Sequence, residues 1–321
     1  MMKTLDIATA FVKGEGVRWC PKCGTELELS QKDPWHNGVF CPICGSSYSW
    51  QHWAHFGEAW LWDENNTGLV SFRGDDEEVD IPYHCTKICS FAFSVSDATA
   101  VRIPDSVKII EPHAFANASK LKHVTLPQGL ERIEAGTFMG CDKLKHITIP
   151  KTVKYIGKDA FSGCSSLQSV YFPDGLAVID AGAFSGTGLV ELKLSGVALL
   201  GERAFAQCPY LHNISLKAKH IGNACFAECR ALHSVKLSEG VLTIGKKAFH
   251  RCTSLSGIHV PASVYEFGNQ AFAGIPKIEA QLPKQLEEFV KNYRFYRAII
   301  EDEKYYIFEE SAKLRYYEGG V

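Results

Sequence analysis

Apolar positions along the chain follow two spacings that alternate with each other. The stretch Thr152 to Pro173 reads T-V-K-Y-I-G-K-D-A-F-S-G-C-S-S-L-Q-S-V-Y-F-P. Its last part has the form L-x-x-V-x-L-P, which recurs as Leu121, Val124, Leu126 and Pro127 and again as Leu144, Ile147, Ile149 and Pro150. Apolar residues two apart share one face of a strand and the residues between them face outward, so each copy predicts a short strand stopped by a proline or polar residue. An aliphatic pair three apart follows: Val153 and Ile156, Leu176 and Ile179, Val241 and Ile244. A glycine often comes next, at Gly157, Gly201, Gly222 and Gly245, which suits a positive φ or a close backbone approach. An Ala-Phe pair then predicts a short helical turn. Its ring falls on Phe93, Phe115, Phe138, Phe161, Phe184, Phe205, Phe226, Phe249 and Phe272, at steps of 21 to 23 residues. Nine copies at that period predict a solenoid whose core is continuous only because neighbouring coils cover one another.

The phrase I-G-x-x-A-F-x-x-C-x-x-L-x-x-I-x-I-P closely resembles the BspA-type leucine-rich repeat over roughly 200 residues. The resemblance implies a right-handed coil stack of short parallel strands, with a strand-lined face and no catalytic site. The better-known members of that family are surface adhesins. This chain departs from them at its start, where M-M-K-T-L-D-I-A-T-A-F-V-K has no uninterrupted apolar run and carries Asp6 in its middle. No window of about 20 apolar residues predicts a membrane span. The expected location is cytoplasmic.

The chain divides into an extension (1–15), a zinc ribbon with an aromatic linker (16–62), the solenoid (63–283) and a C-terminal cap (284–321). The second part carries Cys20-Pro21-Lys22-Cys23-Gly24 and Cys41-Pro42-Ile43-Cys44-Gly45 with 17 residues between Cys23 and Cys41. Two thiolates two residues apart fit one tight turn, and two such turns close a tetrahedron about one zinc ion at about 2.3 Å. Four protein ligands leave no open position, so Cys20, Cys23, Cys41 and Cys44 predict a structural and not a catalytic Zn2+. Short strands are expected at Thr25–Leu29 and Val39–Phe40, with a hairpin turn in Trp35–Gly38. Trp50, Trp53, Phe56, Trp60 and Trp62 are expected to seal the open end of the solenoid; base stacking by these rings is the alternative. The acidic run Asp75–Glu78 precedes a first repeat strand at Val79–Ile81. Past Pro283 the phrase decays into a segment rich in Tyr and Phe, with a helix expected near Leu286–Ile299 and one or two strands from Lys304 to Tyr317.

Net charge is −2 and gives no general pull toward nucleic acid or membrane. It is uneven, however: residues 1–78 hold 6 Lys and Arg against 12 Asp and Glu, and residues 79–275 hold 20 against 15. A mildly basic coil body hints at an acidic partner. Of the 12 cysteines, Cys141, Cys164, Cys208, Cys229 and Cys252 occupy one repeat position, which holds Thr187 and Ile275 in other copies. A position that accepts Thr and Ile predicts buried free thiols, with a disulfide ladder as the alternative. Cys85 and Cys89 with His84 form a weaker candidate ligand set.

The outward strand positions are the expected partner surface: His123, His146, Tyr171, Glu191, Lys193, Asn213, Lys236 and His259. His123 and His146 are expected side by side, as are His212 and His233. No G-x-S-x-G, P-loop or H-E-x-x-H occurs, so no enzyme and no small-molecule substrate is expected. The sequence points to a scaffold that holds an unidentified protein. Nucleic-acid association through the ribbon and a surface adhesin are the alternatives.

Overall fold

The computed structural model describes residues 60–275 except Asn66, together with the backbone of strands Lys32–Asp33, Gly38–Phe40, Ser47–Ser49, Ile278–Gln281, Tyr296–Glu301 and Lys304–Glu309. Each coil lays down two parallel strands. The first strands run from Glu78–Asp80 through Ala100–Arg102, His123–Thr125, His146–Thr148 and Ser169–Tyr171 to Gly257–His259. The second are two-residue strands such as Lys87–Ile88, Tyr155–Ile156 and Glu266–Phe267. Register advances by one coil per strand, with Tyr155 opposite Val178 and Ile156 opposite Ile179.

The two 21-residue steps, from Phe184 to Phe205 and from there to Phe226, change this plan. The shorter coils lack the two residues of the turn between the strands, so both strands merge into Glu191–Leu200 and Asn213–Ile221. A bulge at Ser195/Val197 and a positive φ at Gly196 take up the bend.

The core is a column of rings. Ten phenylalanines, from Phe72 to Phe272, follow one another at centroid separations of 4.6 to 5.7 Å. That spacing is close to the strand-to-strand distance of about 4.8 Å, because the ladder that stacks the coils also stacks the rings. Phe72 belongs to no Ala-Phe pair, but it lies 21 residues before Phe93, within the repeat period. Trp60 meets Phe72 edge-on at 4.7 Å and is buried. Its strand, Trp60–Trp62, pairs antiparallel with Gly68–Phe72, which joins the second-strand stack. The expected seal is therefore present for Trp60 and Trp62; Trp50, Trp53 and Phe56 lie outside the described residues. Trp62 also packs on His84 at 4.5 Å, and burial pushes His84 down to about 4.

The expected helical turns at Ala-Phe are not helices, and none occurs among the described residues. In one coil Ala160, Ser162 and Cys164 donate to carbonyls three residues back, at 3.1–3.2 Å. The amides between them, of Asp159, Phe161 and Gly163, donate instead to Ala181, Ala183 and Ser185 of the next coil, at 2.7–2.9 Å. Left-handed Asp159 and Gly163 (φ 53° and 76°) turn alternate amides outward, which no helix allows. Among the described residues eleven non-glycine residues take this left-handed form, at a cost of roughly 1–2 kcal/mol each; the inter-coil hydrogen bonds offset it.

The glycines after the aliphatic pair serve the second of their two expected purposes. None of Gly157, Gly201, Gly222 and Gly245 has a positive φ; a Cβ on Gly222 would lie 2.5 Å from the Leu200 carbonyl oxygen and 2.7 Å from Gly201 backbone. Gly222→Ala is expected to destabilise by about 1–3 kcal/mol, read from the denaturant midpoint. Gly129→Ala, which would meet only the flexible end of Lys108, should change it by less than about 0.5 kcal/mol.

The repeat cysteines are free and buried. Cys141, Cys164, Cys229 and Cys252 each donate a thiol proton to the Phe carbonyl of an earlier coil at 3.1 Å, and Cys208 does so at 3.3 Å. Thr187 differs: its hydroxyl donates to the Phe184 oxygen of its own coil at 2.9 Å, the same oxygen that the Cys208 thiol reaches from the next coil. Cysteine at this position caps a carbonyl of the preceding coil, while Ile275 fills it by apolar packing alone.

At the C-terminal side, Ile278–Gln281 runs parallel to Gly257–His259 and is closed by the antiparallel pair Tyr296–Glu301 and Lys304–Glu309. The helix expected up to Ile299 is thus a strand from Tyr296 onward. The sheet already offers an edge for the chain to pair with there. At the other end, Lys32–Asp33, Gly38–Phe40 and Ser47–Ser49 form a small antiparallel sheet. The strand expected at Val39–Phe40 is part of it. Cys20, Cys23, Cys41, Cys44 and the Thr25–Leu29 strand lie outside the described residues.

Candidate functional site

The first-strand stack exposes two columns of side chains, because each strand turns its middle residue inward, buried in most coils and half-buried at Val124 and Val170, and turns its ends outward. The burial pattern of His146–Thr148, exposed–buried–exposed, is typical. One column carries Glu78, Ala100 and His123, then His146 and Ser169, then Glu191, Asn213 and Ser234. The other carries Asp80, Arg102 and Thr125, then Thr148 and Tyr171, then Lys193, Ser215, Lys236 and His259.

The structure brings most of the expected residues onto this one face. Tyr171 is 66% exposed, and one coil further on Glu191 and Lys193 form an ion pair at 3.2 Å. Lys236 lies opposite His259 and Ser215. Asn213 is half-buried between Glu191 and Ser234. His212 and His233 meet edge-on at 5.7 Å, one position before the columns. His123 and His146 sit on neighbouring strands, but those strands share no ladder, and the Nδ1 of His146 instead bonds the Ser169 hydroxyl at 2.7 Å.

Two further features went unread in the sequence. Lys120, Lys122, Lys143 and Lys145 flank the first histidine pair and are all exposed; the repeated phrase K-L-K-H was the available signal. On the opposite side of the coils, Arg132 lies over the Tyr155 ring at 4.1 Å, and the Tyr155 hydroxyl donates to Asp180 at 2.5 Å. That hydrogen bond pushes the Tyr155 hydroxyl up. Cys85 is buried with its thiol on the Lys87 carbonyl at 3.3 Å. Among the described residues no group of three or more His, Cys, Asp or Glu is arranged to hold a metal ion.

A ring-cored stack of short parallel strands with a polar outer face defines a leucine-rich-repeat scaffold. The BspA type Leucine rich repeat region, in 6 copies, matches residues 86–212 and 189–301. The chain belongs to the BspA-type leucine-rich repeat family. Among solved structures it is similar to a leucine rich cell surface protein of Faecalibacterium prausnitzii, at 21% identity over 68% of this chain and 85% of that one, with a TM-score of 0.41. It is also similar to the T. pallidum leucine rich repeat protein, at 23% identity over 74% and 95%, TM-score 0.44. The pneumococcal vaccine antigen PcpA matches at 21% identity over 68% and 77%, TM-score 0.43. No curated protein matches the chain. No helix among the described residues is long and apolar enough to cross a membrane.

Proposed function

We propose that this chain is a non-enzymatic scaffold that holds a protein partner on its first-strand face. The observation that carries the reading is the exposed Tyr171 ring on the first-strand face, one coil before the exposed Lys193 and Glu191, on strands whose inward residues are all packed. A tyrosine on a rigid polar sheet supplies contact area without a folding step, and such rings are frequent anchors of protein interfaces. Family membership supports the same reading, since these repeats generally serve as binding scaffolds. The test is capture of a partner by the full chain from its native host. Tyr171→Ala with Lys193→Ala is expected to abolish capture while the circular dichroism spectrum stays unchanged. Capture that survives this pair but is lost on substitutions at Tyr155 or Leu199 would move the surface to the opposite face.

The N-terminal cysteines belong to the same proposal as a structural four-thiolate zinc site. The two C-x-x-C pairs support it, and the small antiparallel sheet falls between and just after them. Cys20, Cys23, Cys41 and Cys44 would hold one ion and so fix the short segment around it. Metal analysis of freshly reduced protein is expected to find one zinc per chain, lost in Cys20→Ser. Protein without zinc rejects the site and leaves the coils untouched. A cytoplasmic location fits the free thiols of the coils, and cell fractionation decides it.

A further inference from the structure

We infer that the two coils ending in Phe138 and Phe161 carry a docking site for an extended acidic segment of a protein partner, built from Lys120, Lys122, His123, Lys143, Lys145 and His146. The inference rests on the reading of the chain as a protein-binding scaffold and names the partner's chemistry.

The cluster is set by repeat register. The phrase K-L-K-H occurs at 120–123 and again at 143–146, one repeat apart. Leu121 and Leu144 point into the core, so the lysines on either side of each point out, and all six side chains are exposed. Parallel coils then place Lys120 beside Lys143, Lys122 beside Lys145 and His123 beside His146, at about 5 Å per coil. In the next coil the same positions are Ser166, Gln168 and Ser169, and in the one after they include Gly188 and Val190. The charge is therefore confined to two coils.

Elsewhere on the solenoid, cross-coil neighbours compensate one another. Arg102 pairs with Asp80 at 2.8 Å and Lys87 with Glu111 at 3.4 Å. Here like groups face like groups, which weakens cross-strand contact. The strands His123–Thr125 and His146–Thr148 also lie side by side with no ladder hydrogen bonds between them. Two carboxylates belong to the neighbourhood. Asp97 is held by Lys120 at 3.0 Å, and Asp142 precedes Lys143 with one oxygen buried away from any hydrogen bond. Among the described residues Lys122, Lys143 and Lys145 form no ion pair.

The chemistry favours carboxylates on an extended chain. Lysine ammonium groups are point charges on flexible stems and do not demand the planar fork that arginine offers to phosphate. The first-strand side of the two coils presents no Phe, Tyr or Trp on which a base could stack. Four lysines over about 10 Å also fall short of the broad charge footprint of a nucleic-acid site. A run of glutamates or aspartates laid across the two strands meets each lysine pair in turn.

The test uses the full chain and a fluorescent oligoglutamate peptide, with binding followed by polarisation at low and physiological salt. Binding is expected to weaken as salt rises. Lys122→Gln with Lys145→Gln is expected to weaken it about tenfold, equivalent to about 1.4 kcal/mol. Lys246→Gln with Lys247→Gln removes the same net charge elsewhere and is expected to change it by less than about twofold. No peptide binding at low salt, or equal losses in both double variants, would overturn the proposal. So would a single-stranded oligonucleotide that binds the same lysines more tightly than the peptide. If the peptide fails while partner capture still depends on Tyr171 and Lys193, only the acidic docking site is lost. If capture is indifferent to the whole face, the scaffold reading falls with it.

Discussion

Phe161→Ala is expected to lower stability by about 3–5 kcal/mol, the usual cost of emptying a buried aromatic site. Phe161 is fully buried near the middle of the column, with Phe138 at 5.2 Å on one side and Phe184 at 4.9 Å on the other. Its removal opens a cavity and deletes two ring contacts, each contributing about 0.5–1.5 kcal/mol beyond area burial. Repeat arrays are held by nearest-neighbour interfaces, so the loss weakens two interfaces at once. Melting should shift down by roughly 10 °C, taking about 2–4 °C per kcal/mol for a body of this size. Phe272→Ala removes a ring that has one Phe of the column beside it, Phe249 at 5.7 Å, and is expected to cost less. A melting curve unchanged by Phe161→Ala would show that the column is not what joins the coils.

The second large effect is alkaline instability. Burial pushes the thiol of Cys85 up to about 11 and those of Cys141 and Cys252 up to about 12. Burial drives Cys164 and Cys225 well up too, and Cys229 rises through its hydrogen bond to Cys208 together with burial. In the unfolded chain these thiols ionise near about 8.5. The folded chain holds its protons to higher pH than the unfolded one, so stability is level below pH of about 8.5 and falls as pH rises beyond it. Each thiol removes about 1.4 kcal/mol per pH unit until its folded value is reached. Cys208 moves the other way, its thiol held down by the hydrogen bond with Cys229, and offsets part of this; the net loss would still exhaust an ordinary stability of about 5–15 kcal/mol within roughly two units. Denaturant midpoints measured from neutral to alkaline pH should fall steeply above pH of about 9. The double variant Cys164→Val, Cys229→Val should flatten the slope by about a third. A thiol-reactive dye should reach the buried cysteines only as the coils open; rapid labelling of Cys141 and Cys252 in the folded chain would contradict their burial.

The fold was legible in the sequence because one coil repeats the same few contacts. A ring every 21 to 23 residues, flanked by alternating aliphatics, has one way to bury itself, which is to stack. The thiol position was legible as a packing position for the same reason. The helical turn was misread because its geometry does not depend on the local residues alone. Asp159, Arg203 and Lys247 carry no glycine signal, yet each is left-handed because its amide is needed by the following coil. Phe72 was missed because Ser71 and not Ala precedes it, although it stacks on Phe93 like the other rings.

Half of the candidate face was readable, since outward positions follow from strand alternation. Which outward residues meet was not. His212 and His233 touch, whereas His146 turns to Ser169, and only the packed coils decide between those outcomes. The sequence by itself determined the coil count, the ring column and the columns of outward side chains, because repetition leaves each residue one role. The tertiary structure decided the backbone of the corners, and it left the two lysine-bearing strands without a ladder. The corners depend on hydrogen bonds between coils, and no single repeat contains them.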